Sequence, residues 1–589
     1  MILLPMCRLL YLLLGSAVWV ASGSHAALIA RQGSQAPTVK VKNGSYYGVY
    51  QSTYDQDLFL GMPFAQPPLG NLRFNLPQSL NTTWTTARNA TQYGYECYGY
   101  GSDQWVLGNV VSEDCLTLNV VRPSGVAPDA KLPVGVWIHG GGFTEGGSRD
   151  PRYNLSFIVQ QSVEMNQPII GVSLNYRLQA FGFIYGTEVM KAGVTNLGFR
   201  DQRLALHWIQ ENIAPFGGDP TKVTIWGELL TNEFSLTKSA GGNSIGTQLI
   251  AYGGRDDKLF RGGIMESGGP LPFDPLTNAS SWDKYYNSIT KAANCSSAQD
   301  TLGCLRKVPI EKLNSVLNSS ATATVPGWGA QIDDDFITGS AADQLVAGKF
   351  VRVPILHGTN FDEGTAFGAK GVNTTAQFLA AVQRTGPNAT VAEAFALLYP
   401  DIPAIGIPAT LQGRPSGNYS FLGAQYKRAS AYGGDILMQA PRRATSQAWA
   451  ARNVSSWSYH FNVVPNGVPP QTGATHFQEV AFVFRNLLGE GYNNSVAVDP
   501  FAGKPPSYDA LATAMSRMWA NFIASGDPNG PGGANASSSS IHWPAYTLAQ
   551  PQNIVFDTNA TNLMYVEDDL YRAEGIQYMI DLFPTVYGR

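Results

Sequence analysis

Short apolar runs recur along the chain: Pro133–His139, Pro168–Asn175, Lys222–Gly227, Arg261–Gly268, Val353–Gly358 and Val454–Val463. They are rich in Val, Ile, Trp and Leu and lack clean alternation, which suits strands buried on both faces. Helical patterns lie between them. The clearest is Asp201–Asn212, where Leu204, Leu206, Trp208 and Ile209 stand among polar residues. Alternation of strand and helix predicts an α/β fold with a large, mostly parallel sheet and helices on both faces. In such sheets ligands bind beyond the carboxyl ends of the strands, so the loops after these runs are where chemistry is expected. The stretch Asn278–Val351 reads as more helical and as a cap region. Asp527–Ser540, rich in Gly, Asn and Ser, reads as a surface loop. No linker divides residues 27–589, which are expected to form a single catalytic domain.

Composition narrows the function. The 589 residues carry a formal charge of −4 and only 14% charged side chains, against roughly 25% in typical soluble domains. An acidic balance argues against a nucleic-acid partner. The 12 Trp, 27 Tyr and 27 Phe exclude a disordered chain. Residues 1–26 read as a secretory signal: Arg8, the apolar run Leu9–Ala21, then Ser24 and Ala26 at cleavage spacing. That run is shorter than the roughly 20 residues a spanning helix needs, so no transmembrane anchor is expected. Fourteen Asn-X-Ser/Thr sequons, beginning at Asn43 and ending at Asn559, are about three times what composition would scatter, which fits N-linked glycans in place of surface charge. An extracellular setting also favours disulfides. Once Cys7 leaves with the signal, Cys97, Cys115, Cys295 and Cys304 remain. They allow three pairings, of which the two local loops, Cys97–Cys115 and Cys295–Cys304, are expected. No metal-ligand spacing occurs, and no cofactor is expected.

Four segments carry candidate chemistry. His139-Gly140-Gly141-Gly142-Phe143 follows a buried strand, and consecutive glycines let backbone N–H groups point into a cavity, as an oxyanion hole requires. Ser239-Ala240-Gly241-Gly242 suits a tight entry into a helix, with the Ala240 N–H as a third donor. Glu363 and Asp362 lie just past the run Val353–His357, where a carboxylate can orient a histidine. Among the seven histidines, His476 in Gly473-Ala474-Thr475-His476-Phe477 is best placed as a base. His357 and His460 sit in apolar runs and read as core residues, and His207 lies on a surface-type helix. The order Ser239, Glu363, His476 is the nucleophile–acid–base order of α/β-hydrolases.

From about residue 35 to 580 the chain resembles the type-B carboxylesterase/lipase family, which includes cholinesterases and fungal lipases. Glu113-Asp114-Cys115-Leu116-Thr117-Leu118-Asn119-Val120 matches one family signature. Phe216-Gly217-Gly218-Asp219-Pro220 through Trp226-Gly227-Glu228, then Ser239-Ala240-Gly241, matches another with one break. Asn175-Tyr176-Arg177 and Gly364 also fit. The resemblance implies an α/β-hydrolase fold and a secreted serine carboxylic-ester hydrolase. It implies Ser239 as nucleophile, His476 as base, Glu363 as its acid partner, and oxyanion donors at Gly141, Gly142 and Ala240. It supports the two local disulfides, implies a small-molecule or lipid ester as substrate, and pairs Glu113 with Arg177 in a structural ion pair.

The break matters. A nucleophile elbow needs glycine two residues before serine, and here that position is Thr237. Deleting Leu229–Lys238 restores Gly-Glu-Ser-Ala-Gly. Leu230-Thr231 can be encoded with CTAAC, the look of a fungal intron branch site, and Lys238 with AAG, which ends in an acceptor AG. Residues 229–238 therefore read as retained intron sequence. The rival reading is a catalytically inactive, cholinesterase-like binding or adhesion protein.

Overall fold

The structure, a computed structural model, describes residues 36–228, 240–272, 278–494, 497–530 and 541–589. Its large sheet holds eleven strands: β1 (Val49–Gln51), β2 (Gln56–Pro63), β3 (Thr117–Pro123), β4 (Leu132–Ile138), β5 (Ile170–Leu174), β6 (Gly218–Gly227), β7 (Gly262–Glu266), β8 (Ile355–Asn360), β9 (Ser456–Phe461), β10 (Gln552–Phe556) and β11 (Met564–Asp568). Their order across the sheet is β1-β2-β3-β5-β4-β6-β7-β8-β9-β10-β11. The seven strands β4 to β10 run parallel, and β1, β2, β3 and β11 add antiparallel edges. Each of the six apolar runs overlaps one of the parallel strands.

Alternation explains why those runs are apolar throughout. Val136 and Ile138 enter the core on one face of the sheet, while Trp137 between them enters the core on the other. Helices α1 (Leu197–Asn212) and α2 (Gly241–Gly254) cover the first face with Leu206, Ile209, Ile245 and Leu249. Helix α3 (Pro506–Ser525) covers the second. Its Leu511, Met515, Trp519, Phe522 and Ile523 fall on one stripe at helical spacing and join Trp137, Trp226 and Phe484. Trp137 and Trp226 lie 4.7 Å apart, and Trp226 stacks on Phe484 at 4.6 Å. Truncating a buried Trp of this kind costs about 3–5 kcal/mol.

The order reverses at β4, which lies between β5 and β6. Ile138 pairs with both Leu174 and Gly227, and Gly227 pairs with Met265. The carboxyl ends of β4, β5, β6 and β7 are therefore level. Phe143 beyond β4, Gly269 beyond β7 and Asn243 of α2 line one cavity near the switch point, where open α/β sheets bind ligands.

Residues 278–351 contain four helices, Ala279–Ala292, Thr301–Lys307, Ile310–Leu317 and Ala341–Ala347. Tyr286, Ile289, Leu302, Leu305 and Leu313 from this stretch pack with Phe74, Phe181 and Val189. Both local disulfides form, Cys97–Cys115 and Cys295–Cys304. The ion pair expected between Glu113 and Arg177 does not. Glu113 takes both nitrogens of Arg73, at 2.5 and 2.7 Å, and Arg73 also donates to the Val308 carbonyl of the helical region. Arg177 makes a fork onto Asp201, at 2.8 and 2.7 Å. A planar guanidinium favours a carboxylate it can grip with two parallel bonds, and each arginine finds its own. Among the described residues, no helix is long and apolar enough to cross a membrane.

Candidate active site

Glu363 follows β8, and His476 lies on the loop ahead of Val480–Val483. Their side chains meet: His476 Nδ1 is 2.7 Å from Glu363 Oε2, and both residues are buried. A carboxylate against Nδ1 holds the proton there and leaves Nε2 as the basic nitrogen. Nε2 has no hydrogen-bond partner among the described residues. It lies 4.0 Å from Glu228 Oε1, at the point where the chain leaves β6. The other Glu363 oxygen is fixed from two sides. Ser267, just past β7, donates its hydroxyl at 2.6 Å, and the Asn360 N–H donates at 2.8 Å. Glu363 is therefore held by Ser267 and Asn360 as well as by the imidazole.

On the β4 side, Gly141 and Gly142 adopt φ +100° and +62°. A side-chain carbon at Gly141 would lie 2.0 Å from the Glu145 carbonyl oxygen, so only glycine fits this turn. The Gly141 carbonyl accepts from the Thr144 and Glu145 N–H groups, and Tyr176 donates its hydroxyl to the His139 carbonyl at 2.9 Å. These bonds use the carbonyls. The N–H groups of Gly141, Gly142 and Ala240 donate to no acceptor among the described residues. Ala240 is fully buried at the N-terminus of α2, where backbone donors concentrate. His139 is held neutral by burial, its pKa lowered to about 4.

Three further buried acids, Glu228, Glu266 and Glu479, surround this pair. Each puts a carboxyl oxygen within 4.8 Å of the other two. Burial, and then the neighbouring charges, hold all three above the ordinary carboxyl range, Glu228 and Glu266 well above it. One Glu266 oxygen accepts from the indole N–H groups of Trp226 and Trp519. Asn360 donates to Glu479 at 2.5 Å and to the Thr475 carbonyl at 2.7 Å. This is the one set of described residues that could offer a cation three acidic ligands. Burial favours their neutral, protonated forms. Residue types alone hid these supports: Glu479 is one helical turn past His476, and Ser267 and Glu266 end an apolar run.

Ser239 and the segment Leu229–Lys238 lie outside the described residues.

Comparison with known proteins shows the family. A model of the carboxylesterase family matches residues 35–574. The chain is 33% identical over 565 residues to Lipase 2 of Geotrichum candidum, covering 88% of this chain and 91% of that one. It is 32% identical over 588 residues to Secreted lipase 1 of Botryotinia fuckeliana, covering 94% of each. The crystal structure of Aspergillus niger EstA superposes with a TM-score of 0.75 at 26% identity, over 94% of this chain and 99% of that one. With its α/β-hydrolase sheet and this family match, the chain belongs to the carboxylesterase family and is a carboxylic-ester hydrolase.

Proposed function

We propose that the protein is a secreted serine ester hydrolase working through an acyl-enzyme. His476 Nε2 takes the proton of Ser239 as its oxygen attacks the ester carbonyl. The N–H groups of Gly141, Gly142 and Ala240 stabilise the tetrahedral oxyanion, where one lost donor typically costs about 3–4 kcal/mol. The alkoxy group leaves with the proton from His476, and water, deprotonated by the same nitrogen, releases the acid. Glu363 keeps the imidazole oriented and stabilises its charged form. The observation that carries this reading is the buried Glu363–His476 pair with an uncommitted Nε2.

The reading includes the ten extra residues. A side-chain carbon on Gly241 would lie 2.1 Å from the Glu228 carbonyl oxygen, and one on Gly227 would lie 2.8 Å from the Gly241 carbonyl. The two flanks of 229–239 are thus already in contact. A Glu228-Ser239-Ala240-Gly241 link is a four-residue turn, which spans less than about 7 Å between its end α-carbons. Removing Leu229–Lys238 would therefore close the elbow without moving β6 or α2. Export is supported by the leader-like residues 1–26 and by the name of the Botryotinia relative. None of the thirteen described sequon asparagines is buried, which leaves them open to glycans.

The test compares the full chain with one lacking 229–238 in hydrolysis of a p-nitrophenyl ester, alongside the native transcript. The expected result is strong turnover by the shorter chain, little by the longer, and a transcript without the thirty nucleotides. A transcript that keeps them, with both chains inert, would favour the binding protein instead.

A further inference from the structure

Asp362 precedes Glu363 and is nearly as buried, yet it has no part in the pair above. Its contacts run to the loop that carries the base. The Asp362 N–H donates to the Ala474 carbonyl at 2.9 Å, and the Ala474 N–H donates back to Asp362 Oδ2 at 2.8 Å. Gly473 lies against the same carboxylate: at φ +65°, a side-chain carbon there would be 2.2 Å from Oδ2. Thr365, one turn on, has its hydroxyl 2.7 Å from both the Thr472 carbonyl and the Thr475 hydroxyl.

We propose that Asp362 is a positioning residue for the base: its reciprocal bonds to Ala474 fix where the His476 loop stands relative to Glu363. This rests on the Ser239–His476–Glu363 reading. Only Thr475 separates Ala474 from His476, so a shift at the clamp moves the imidazole directly. A misplacement near 1 Å can cost about 100-fold in rate.

The clamp also titrates. Asp362 Oδ1 is buried with no hydrogen-bond partner among the described residues. Burial pushes the acid up to about 7, against the pull of the Ala474 N–H and of Arg572 and Lys427, while the Glu363 charge adds to the rise. Neither cation is spent on Asp362: Arg572 pairs with Asp435, and Lys427 donates to the Leu411 carbonyl. Tyr571 is a further titratable group that the Asp362 charge reaches. An ionised acceptor makes a stronger bond to Ala474 than a neutral one. Activity should therefore gain a step as pH rises through about 7.

The test compares wild type with Asp362→Asn, Asp362→Ala and His476→Ala, each in the full chain and in the chain lacking 229–238. Asp362→Asn keeps an acceptor for Ala474 but cannot ionise. Its kcat profile is expected to lose one ionisation, with a plateau about fivefold lower, the difference between a neutral and a charged acceptor, at unchanged KM. Asp362→Ala should fall further. The downfield proton signal of His476 Nδ1–H reports the same ionisation without turnover, and its step near pH 7 should vanish in Asp362→Asn. A purely structural Asp362 would lower yield and melting temperature but leave the profile per active site unchanged. Superimposable kcat profiles, or an unchanged proton titration, overturn the proposal. An active His476→Ala overturns the triad reading instead.

Discussion

Among the described residues two buried histidines meet a carboxylate through Nδ1, and the proposed function gives them different jobs. His476 Nδ1 meets Glu363 at 2.7 Å, and His460 Nδ1 meets Glu567 at 2.6 Å. The contrast lies in the other nitrogen. His460 Nε2 is 2.9 Å from Gln439 Oε1, and Gln439 in turn donates to the Asn360 carbonyl and accepts from Thr359. His476 Nε2 meets nothing among the described residues. A base needs a nitrogen to spare, and a strut needs none. Place in the sheet sets the difference: His460 lies within β9, paired to Val555 of β10, whereas His476 stands on a loop beyond the strand ends.

The largest expected effect separates the two. His476→Ala should lower kcat by about 10⁶-fold, the scale of a triad knockout, whereas His460→Ala should leave kcat within about threefold. His460→Ala should instead lose stability, about 1–3 kcal/mol for a buried partner left unsatisfied, read by urea unfolding. Equal losses of kcat in both variants would erase the contrast. Next come the carboxylates. Glu363→Gln should cost about 10⁴-fold through the wrong imidazole tautomer, and Glu567→Gln should leave kcat unchanged. Gly473→Ala sharpens the account of the base's loop. Its new carbon would collide with Asp362, and kcat should fall about 100-fold, the cost of a displaced base.

The smallest effect is on stability against pH. Glu266 is held well above the ordinary carboxyl range by burial first and then by the Glu479 charge. The folded state thus keeps a proton the unfolded state releases. That contribution is fully present below the unfolded pKa and is lost as pH rises through the folded one. Glu266→Gln keeps an acceptor for the two indoles and cannot ionise. Its melting temperature should therefore fall less than wild type's as pH rises.

Parts of this were legible in the sequence because a two-faced buried strand leaves an unbroken apolar run, and all six such runs overlap strands. The edge strands left weaker marks. β1 and β11 are largely exposed, and β2 opens with Gln56 and Asp57. Glu363 and His476 could be placed because each follows or precedes a strong hydrophobic signal. The partners of Arg177 and Glu113 could not, because a motif names charged residues without saying which neighbour the fold brings to them. Ser267, Glu266 and Glu479 were hidden for the same reason. Their roles come from crossing strand ends rather than from spacing.

The central claim is that Ser239 is the nucleophile and His476 its base. It is tested most directly by treating the chain lacking 229–238 with a fluorophosphonate ester and mapping the adduct by peptide mass. The account predicts one adduct per chain, on Ser239, absent in His476→Ala and still formed in His460→Ala. An adduct on another residue, or undiminished labelling of Ser239 in His476→Ala, would contradict it.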